Sequence, residues 1–356
     1  MDNSNVKKIL VVELAGIGDL VMATPALKAL REKFPDAYVG ILVIGRAVEL
    51  AEGLPYVNEV FVFDIEYTGI DNLFRNKAVF KTYKTIRELH CKRFDLLINL
   101  EHISTWPGAL KMAALFSMIG ARYKLGRDTD GRGFFFNLKV PESVRDHKHE
   151  VEANLEVVRL LGADVSEVKL EAPVFDEDRK YVDDFFSAYD LGKKYLLIGL
   201  NPGSFRFYDR WPCDRWVRLC ECLIEKYKCI IVVTGGESEK GLVGDITTRL
   251  KDKPVVPAIN FTLKQLAALI ERLDLFITGD SGPMHIAAAA GTRLIALFGP
   301  GDVHKFSPYT SRDKYIIIRK EINCPRPCYK FKCQNNQCMG LITVQDVSQA
   351  AEELLK

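Results

Sequence analysis

The stretch ITGDSGPMHIAAAAGTRLIALFGPGD, residues 277–302, decides the fold of this chain. An apolar strand is predicted to end at Thr278, and a turn of small residues follows it. A helix should then begin near Pro283, because proline suits the first helical position. A second apolar strand ends in FGPGD, residues 298–302. Strand, glycine turn, helix and strand in this order indicate a parallel α/β unit whose small-residue turns let a ligand approach the backbone.

The same alternation extends through all 356 residues. Continuous apolar runs bounded by Gly, Pro or Asp are typical of strands buried on both faces of a parallel sheet. Amphipathic patterns such as TLKQLAALIERL, residues 262–273, lie between them. Eight runs fit this description: KILVVEL (8–14), VGILVI (39–44), EVFVFD (59–64), DLLINL (95–100), YLLIGLNPG (195–203), CIIVVTGG (229–236), DLFITGD (274–280) and RLIALFGP (293–300). The pattern predicts doubly wound α/β architecture with two Rossmann-like domains.

We place the domain boundaries where the composition changes. The expected parts are an N-terminal domain over residues 1–175, a charged linker over 176–194, and a C-terminal domain over 195–342 that includes a cysteine-rich loop at 324–338. A last helix over 343–356 should begin with a capping box between Thr343 and Asp346. Ligands of open α/β sheets bind beyond the carboxyl ends of the strands, so two facing domains would form one cleft from these loops.

The composition is that of a globular enzyme. A net charge of +2 argues against a dedicated nucleic-acid binder. No segment approaches the roughly 18 apolar residues that span a bilayer. Glu13 interrupts the short apolar run near the N-terminus, which is therefore a poor match to a secretory signal. We expect a cytoplasmic protein.

The first strand-end motif is ELAGIGDLVMATPAL, residues 13–27. Gly16 and Gly18 suggest a dinucleotide-binding fingerprint, but Val21 occupies the place of the third glycine. The next strand ends in IGR, residues 44–46, without the acidic residue that would hold an NAD ribose. Asp19 therefore has two interpretations: the N-cap of a helix, or a carboxylate that accepts a proton from a substrate hydroxyl.

Two motifs in the second half are suited to a nucleotide. In GLNPGSFRFYDRWP, residues 199–212, the backbone around Ser204 together with Arg206 or Arg210 would bind phosphate oxygens. The alternative is a surface turn with solvated arginines. In VVTGGESEK, residues 232–240, Glu237 would present a carboxylate to a ribose or a base.

The turn after Thr278 is a natural anion site, because a helix N-terminus offers unpaired N–H groups and the positive end of its dipole. His285 in the first turn would add a donor, or it is an ordinary core histidine. Asp280 would repel a phosphate, so it is better suited to sugar hydroxyls or to capping the helix.

Together these motifs resemble the heptosyltransferases of glycosyltransferase family 9, which build the inner core of bacterial lipopolysaccharide. The resemblance covers essentially the whole chain, in the family's order. It rests on GIGDLVMATPAL (16–27), HEVEANLEVVRLLG (149–162), NPGS (201–204) with RWP (210–212), TGDSGPMHIAAAAG (278–291) with LFGP (297–300), and CPRPCYKFKCQNNQCM (324–339).

The resemblance implies a GT-B fold and inverting transfer from an ADP-activated heptose or related sugar, without a catalytic metal or other required cofactor. It implies that Asp19 is the general base, with Gly16 and Gly18 on the acceptor side, and that Glu237 lies near the adenosine ribose. It also assigns donor contacts to Asp280, Ser281, Gly282 and His285. Many members carry Lys or Arg just before WP, where this chain has Asp209 followed by Arg210. Arg206 and Arg210 both remain candidates for the diphosphate contact, and we favour Arg210.

A basic segment lies between Arg75 and Arg93, with seven Lys or Arg residues and one acidic residue. On a helix, one face would carry Val79, Tyr83, Ile86 and His90, and the other Lys77, Lys81 and Lys84. The ordinary interpretation is a solvated face. The functional one is attraction to an anionic glycolipid acceptor or to the inner membrane face, with peripheral membrane contact.

Four cysteines crowd the C-terminal part, at Cys324, Cys328, Cys333 and Cys338. Their spacing permits a structural zinc site, although it lacks two CxxC pairs. Disulfides are disfavoured in a reducing cytosol, and reduced cysteines packing a loop are the third alternative.

Two other functions fit the same motifs. One is a GT-B relative that uses another nucleotide sugar, such as an epimerase or a UDP-sugar transferase. The other is a non-catalytic protein that binds a nucleotide sugar.

Overall fold

The chain forms two compact units, Met1–Lys169 and Leu170–Lys356, in a computed structural model. The structure describes residues 6–63, 77–192, 195–204, 206, 209–328, 333 and 336–356, and the side chains of residues 77–79 lie outside this description. Within the described residues each unit contains one six-stranded sheet whose neighbouring strands are all parallel.

The first unit has the strand order β3-β2-β1-β4-β5-β6. The order reverses between β1 and β4, which is where ligands bind in open α/β sheets. Its strands are β1 (Lys8–Glu13), β2 (Tyr38–Ile44), β3 (Glu59–Phe63), β4 (Leu96–Asn99), β5 (Tyr123–Thr129) and β6 (Leu138–Glu142). Its helices are α1 (Ile17–Lys33), α2 (Val48–Glu52), α3 (Lys77–Lys92), α4 (Trp106–Ile119) and α5 (Glu150–Arg159).

The second unit repeats this topology, with the order β12-β11-β10-β7-β8-β9 and its reversal between β7 and β10. Its strands are β7 (Leu197–Asn201), β8 (Ile230–Gly235), β9 (Val255–Ile259), β10 (Leu275–Gly279), β11 (Leu294–Leu297) and β12 (Tyr315–Ile318). Its helices are α6 (Asp176–Ala188), α7 (Cys213–Tyr227), α8 (Lys240–Arg249), α9 (Leu263–Ile270), α10 (Gly282–Ala290), α11 (Val303–Phe306), α12 (Gln337–Gly340) and α13 (Val344–Leu355).

All eight apolar runs in the sequence contain a strand. The sequence did not indicate β5, β6, β9 and β12. Three of these, β6, β9 and β12, lie at sheet edges, where less apolar sequence is tolerated. Pro141 in β6 and Pro257 in β9 weaken the strand pattern, because proline in a sheet is largely confined to edges and bulges.

Several helix boundaries follow directly from local chemistry. Helix α10 begins at Gly282, one residue before the expected Pro283. Helix α13 begins with the expected capping box: the Thr343 hydroxyl accepts the Asp346 N–H at 3.1 Å, and Asp346 accepts the Thr343 N–H at 2.7 Å. Helix α1 continues through the buried Pro25, which has no backbone N–H to donate to the Val21 carbonyl. The Thr24 hydroxyl donates to that carbonyl instead, at 2.7 Å.

In the segment 176–194, expected to be a linker, residues Asp176–Ala188 form helix α6, which packs within the second unit. Tyr181 and Phe185 each meet the Phe261 ring edge-on, with centroids 5.2 and 5.1 Å apart. Arg272 of the turn after α9 pairs with Asp183 at 2.5 Å. Apart from the buried Asp178, the charged residues of this helix are exposed to solvent.

Each unit has its own apolar core, formed by its sheet and the helices packed against it. Leu10, Leu97 and Phe116 are fully buried in the first, and Leu200, Ile277 and Trp216 are at most 1% exposed in the second. Across the described part of the chain, no helix has both the length and the apolar composition needed to cross a membrane.

Candidate active site

Asp19 lies in the first turn of α1, directly after the carboxyl end of β1. The N-cap of α1 is Gly16, so Asp19 is not the N-cap residue. Its carboxylate instead reaches back and accepts the Gly16 backbone N–H. A Cβ at Gly16 would lie 2.8 Å from Asp19 Oδ2, so the missing side chain lets the carboxylate rest against this turn. Gly18 sits beside Asp19 in the same first turn.

Other carboxylates surround Asp19 at the switch point of the first sheet. Glu13 ends β1 and is 3% exposed, and Glu101 follows β4 and accepts the Leu14 backbone N–H. Glu150, the first residue of α5, is 6% exposed. These groups are distant in sequence and meet because β1 and β4 are neighbouring parallel strands.

Burial and mutual repulsion shift the ionisation of this cluster. Burial raises the pKa of Asp19 to about 6, the Glu150 carboxylate raises it as well, and the backbone hydrogen bonds oppose both effects. Burial raises the pKa of Glu101 to about 7, against the opposing bond from the Leu14 N–H. Burial, followed by Glu101 and Asp19, holds the pKa of Glu13 well above its ordinary value. The cluster can therefore hold and exchange a proton near neutral pH.

Arg127 of β5 contacts this cluster through Glu150 and is 1% exposed. Its guanidinium donates to Glu150 Oε1 at 2.5 Å, to Glu142 Oε1 at 3.3 Å, to the Asn154 amide oxygen and to the Leu100 carbonyl. A buried cation in the midst of these groups offsets part of the carboxylate repulsion.

The sequence pointed to Asp19 but missed Glu13, Glu101, Arg127 and Glu150. A partial signal existed, because Glu150 and Asn154 lie in HEVEANLEVVRLLG, residues 149–162. Glu13 is the first residue of the motif at 13–27 but received no role there, and Glu101 lies in no motif; only the strand order brings the two together.

In the second unit, the loop after β7 holds both candidate arginines through acidic partners. Arg206 Nε donates to Asp209 Oδ2 at 2.7 Å, and Asp209 is 5% exposed. Burial raises the pKa of Asp209, and Arg206 opposes that shift. Arg210 donates to Glu239 at 3.2 Å and to the Ser204 carbonyl at 3.0 Å. Arg206 thus neutralises a buried acid, whereas the acid that pairs with Arg210 is more exposed, at 16% for Glu239 against 5% for Asp209.

Glu239, which the sequence did not single out, approaches this loop more closely than Glu237. A Cβ at Gly203 would lie 2.5 Å from Glu239 Cγ, so the glycine makes room for that side chain. Glu237 is 71% exposed and accepts the Asn260 amide at 2.7 Å. The two glutamates therefore face different surroundings at the end of β8.

The end of β10 adjoins the same loop, as the parallel order requires. A Cβ at Gly279 would lie 3.5 Å from the Asp209 carbonyl oxygen. Ser281, the N-cap of α10, places its hydroxyl 3.1 Å from that of Thr278. Asp280 lies against Gly301 of the next glycine turn, where a Cβ would collide with its carboxylate.

Gly282 begins α10, and its backbone belongs to the positive end of the helix dipole. His285 is 3% exposed on the same helix. The structure thus brings Ser204, Arg206, Arg210, Asp280, Ser281 and Gly282 to one sheet edge, with His285 buried just behind it.

Helix α3 differs from the predicted helical wheel. Among its described side chains Thr82 and Leu89 are buried, whereas Tyr83, expected on one face with Val79, is 63% exposed. The Val79 side chain lies outside the described residues. Lys81 and Lys84 are exposed as expected. Lys77 begins the helix, but its side chain lies outside the described residues.

The C-terminal cysteines do not form a metal centre in the described residues, where no group of three or more His, Cys, Asp or Glu side chains could hold an ion. All nine cysteines of the chain are described, and none is in a disulfide. Cys338 is buried, and its sulfur would lie 3.4 Å from a Cβ at Gly299. The Cys328 N–H donates to the Pro300 carbonyl at 2.9 Å, so this loop packs on the glycine turn after β11.

Known proteins share sequence similarity with this chain over most of its length. A family model described as glycosyltransferase family 9 (heptosyltransferase) matches residues 82–338. The lipopolysaccharide core heptosyltransferase OpsX of Haemophilus influenzae is 25% identical over 320 residues, which cover 88% of this chain and 85% of OpsX.

Solved structures show the same fold. A glycosyltransferase family 9 structure from Veillonella parvula has a TM-score of 0.79 and 25% identity, covering 100% of this chain and 98% of its own. E. coli heptosyltransferase WaaC with ADP has a TM-score of 0.72 and 18% identity, covering 98% and 99%. These similarities confirm the predicted α/β, GT-B-like fold.

Proposed function

The chain belongs to glycosyltransferase family 9, and from this premise we propose that it transfers a heptose or related sugar from an ADP-sugar to an inner-core lipopolysaccharide acceptor. The family membership makes it a glycosyltransferase. The observation that carries the finer proposal is Asp19, a carboxylate at the switch point of the first sheet with a pKa near 6. Such a group is ionised at neutral pH yet basic enough to take a proton.

The donor would bind at the carboxyl edge of the second sheet. The N-terminus of α10, with Ser281 and Gly282, would hold the diphosphate, and Asp280 would accept bonds from sugar hydroxyls. Ser204 would add backbone contacts, and His285 would support the turn from behind. The ADP in the WaaC structure supports adenine as the base. We place Glu237 at the adenosine ribose.

Arg210 would supply the positive charge on the diphosphate. Arg206 is the less suitable candidate, because it is committed to the buried Asp209 at 2.7 Å. Arg210 makes a longer bond of 3.2 Å to Glu239, which a stronger phosphate bond would replace.

The reaction would invert the anomeric centre. An acceptor hydroxyl oxygen attacks the anomeric carbon while Asp19 takes the hydroxyl proton. The bond from that carbon to the diphosphate oxygen breaks, and ADP leaves with the electron pair. The α10 terminus and Arg210 would stabilise this leaving group, so that transfer proceeds without a catalytic metal.

The acceptor would be an anionic glycolipid bound by the first unit. Gly16 leaves room for the Asp19 carboxylate, Gly18 lies beside it in the same turn, and Lys81 and Lys84 present exposed cations. We place the protein in the bacterial cytoplasm, with peripheral contact at the inner membrane face, because such acceptors are lipids.

Calorimetric titration with ADP, UDP and NAD, each with Mg²⁺ and with EDTA, tests the donor assignment. We expect ADP to bind in EDTA and NAD and UDP to bind at least tenfold more weakly. A preference for UDP would instead favour a UDP-sugar enzyme. Turnover of ADP-heptose without any acceptor would favour an epimerase, and binding without either reaction would favour a non-catalytic protein.

A further inference from the structure

Helix α4 presents an apolar face to solvent. Trp106 is 54% exposed, Leu110 62% and Met118 50%. The helix sequence WPGALKMAALFSMI contains one charged residue, Lys111, and no acid. Exposed apolar side chains are normal when scattered, but a row of them along one helix marks a surface that binds something.

Phe134, from the connection between β5 and β6, extends this face. It is 52% exposed and stacks on Trp106, with ring centroids 6.5 Å apart and planes at 26°. Arg132 in the same connection donates to the Ile103 carbonyl at 2.7 Å, which holds the connection beside the start of α4. Two large aromatic rings are therefore stacked on each other at the solvent-exposed surface.

Helix α3 adds aromatic and cationic side chains next to α4. Phe80 is 74% exposed and Tyr83 63%. The two helices run side by side and in the same direction, since His90 near the end of α3 lies 3.1 Å from the carbonyls of Met118 and Ile119 at the end of α4. We call the exposed side chains of α3 and α4, together with Phe134, the α3–α4 face.

The charges of the α3–α4 face indicate its partner. Lys81, Lys84, Arg87 and Lys111 are exposed on it, and Glu88 is the one acid in the two helices. Aromatic rings with surrounding cations suit the head-group region of an anionic bilayer, where rings enter the interface and lysines meet lipid phosphates. A second copy related by a two-fold axis would oppose lysines with lysines, which disfavours self-association.

The α3–α4 face also lies near the edge of the first sheet that carries Asp19. Helices between parallel strands run against them, so the N-terminal turns of α3 and α4 lie at the carboxyl edge of the sheet. Phe80, Tyr83 and Trp106 occupy these turns, and Asp19 lies at the same edge. Lipid bound there would bring its head groups toward that edge.

We propose that the α3–α4 face docks on the surface of an anionic lipid bilayer. The proposal rests on the proposed function in one respect, namely that a glycolipid acceptor resides in such a bilayer. It concerns binding, however, and is measured without donor or acceptor.

The chain contains its own probe for this test. Of its three tryptophans, Trp211 and Trp216 are 2% and 1% exposed, so Trp106 is the one that vesicles can reach. With phosphatidylglycerol vesicles we expect a blue shift of tryptophan emission and quenching by brominated acyl chains. Phosphatidylcholine vesicles should have much weaker effects, and salt should reduce binding.

Variants locate the surface by vesicle co-sedimentation. Leu110→Ser with Phe134→Ser should weaken binding at least about tenfold, because two large apolar side chains are lost. Lys81→Ala with Lys84→Ala should weaken binding to anionic vesicles by about fivefold per lysine. Leu160→Ser is the matched control, since Leu160 is 53% exposed in the same unit but outside the face.

Absence of vesicle binding by the wild-type protein would overturn the proposal, and so would an equal loss in Leu160→Ser. A wild-type dimer that the Leu110 and Phe134 changes dissociate would also overturn it, in favour of a second copy. Transfer to a deacylated, water-soluble acceptor separates the two proposals. If the Leu110 and Phe134 variant loses vesicle binding but retains this transfer, both proposals stand. If vesicles bind as expected but no heptose is transferred, only the proposed function fails.

Discussion

Asp19 combines two properties that normally oppose each other. It lies in the first turn of a helix, where the dipole and backbone N–H groups favour its anion, yet burial and the Glu150 charge favour its protonated form. The balance leaves its pKa at about 6, against an ordinary value of 3.8. A carboxylate in this state is a stronger base than one in water, and its ionisation costs folding free energy.

The pH dependence of transfer follows from this pKa. A general base must be ionised, so kcat/KM should be constant above about pH 7 and fall about tenfold by pH 5, where roughly one Asp19 in ten is ionised. Glu150→Gln should move this acidic limb of the kcat/KM profile to lower pH, because a charge that raises the Asp19 pKa is removed. A profile that stays flat down to pH 5 would contradict the assignment of the limb to Asp19.

Asp19 should also lower stability at alkaline pH. Its folded-state pKa is raised, so the native protein binds more protons than the unfolded one between about pH 4 and 6, and stability falls as pH rises through this window. Asp19→Asn removes the ionisation while keeping an acceptor for the Gly16 N–H. We expect the variant to be more stable than wild type by about 1–3 kcal/mol at pH 8 and nearly equal at pH 4.

Denaturant unfolding at the two pH values measures this difference, with the exposed Asp36→Asn as a control that should change little at either. A destabilised Asp19→Asn protein at pH 8 would mean that the carboxylate is stabilised in the fold, contrary to the direction of its pKa.

At this scale the sequence predicted the position of Asp19 but not its surroundings. Glycine spacing and a strand end are local features, and they were sufficient to find the residue. The Glu150 charge that raises its pKa comes from α5, and the neighbouring acids Glu13 and Glu101 come from β1 and from the segment after β4. Their approach depends on strand order, which no single motif encodes.

At the scale of elements, we propose that the loop between β7 and α7 uses Arg206 for structure and Arg210 for ligand binding. Arg206→Ala leaves the buried Asp209 without its cation, so stability should fall by about 1–3 kcal/mol at pH 8 with a small effect on ADP affinity. Arg210→Ala should weaken ADP binding about 10- to 100-fold and change stability little, because its Glu239 partner reaches solvent.

Calorimetry with ADP and thermal denaturation of both variants separate these tasks. An Arg206→Ala protein that folds normally but loses ADP binding would reverse the assignment.

Central strands were easier to predict than edge strands. Runs such as IIVV at 230–233 are apolar throughout because both faces of the sheet are covered there. Strand β5 carries Arg127 and Asp128 within YKLGRDT, and the buried Arg127 is tolerated because Glu150 and Glu142 neutralise it. These charged residues interrupt the apolar pattern by which the other strands were recognised, whereas tertiary pairing makes Arg127 part of the sheet. The helical-wheel prediction for α3 failed at Tyr83 for a related reason, since exposed aromatic residues resemble core residues in a sequence.

At the scale of the whole molecule, each unit has its own sheet and core, and each places its candidate residues at the switch point of that sheet. The two units therefore divide the proposed chemistry, with the base in the first and the donor contacts in the second. Binding of ADP should accordingly stabilise the second unit, by about 2.7 kcal/mol when ADP is at 100 times its Kd.

Hydrogen exchange monitors this division. With ADP, backbone amides of residues 199–204 and 279–286 should become protected, while those of residues 8–14 in β1 should exchange as before. Protection confined to the first unit would place the nucleotide in the wrong half of the molecule for the proposed reaction.

The most direct test of the central claim is single-turnover transfer from ADP-heptose to a heptose-deficient inner-core acceptor, comparing wild type with Asp19→Asn at pH 8 and saturating donor. The account predicts that Asp19→Asn binds ADP with wild-type affinity and transfers the sugar at least about 100-fold more slowly. Transfer by Asp19→Asn at the wild-type rate would contradict the account, because the carboxylate at the switch point of the first sheet would then not be the base.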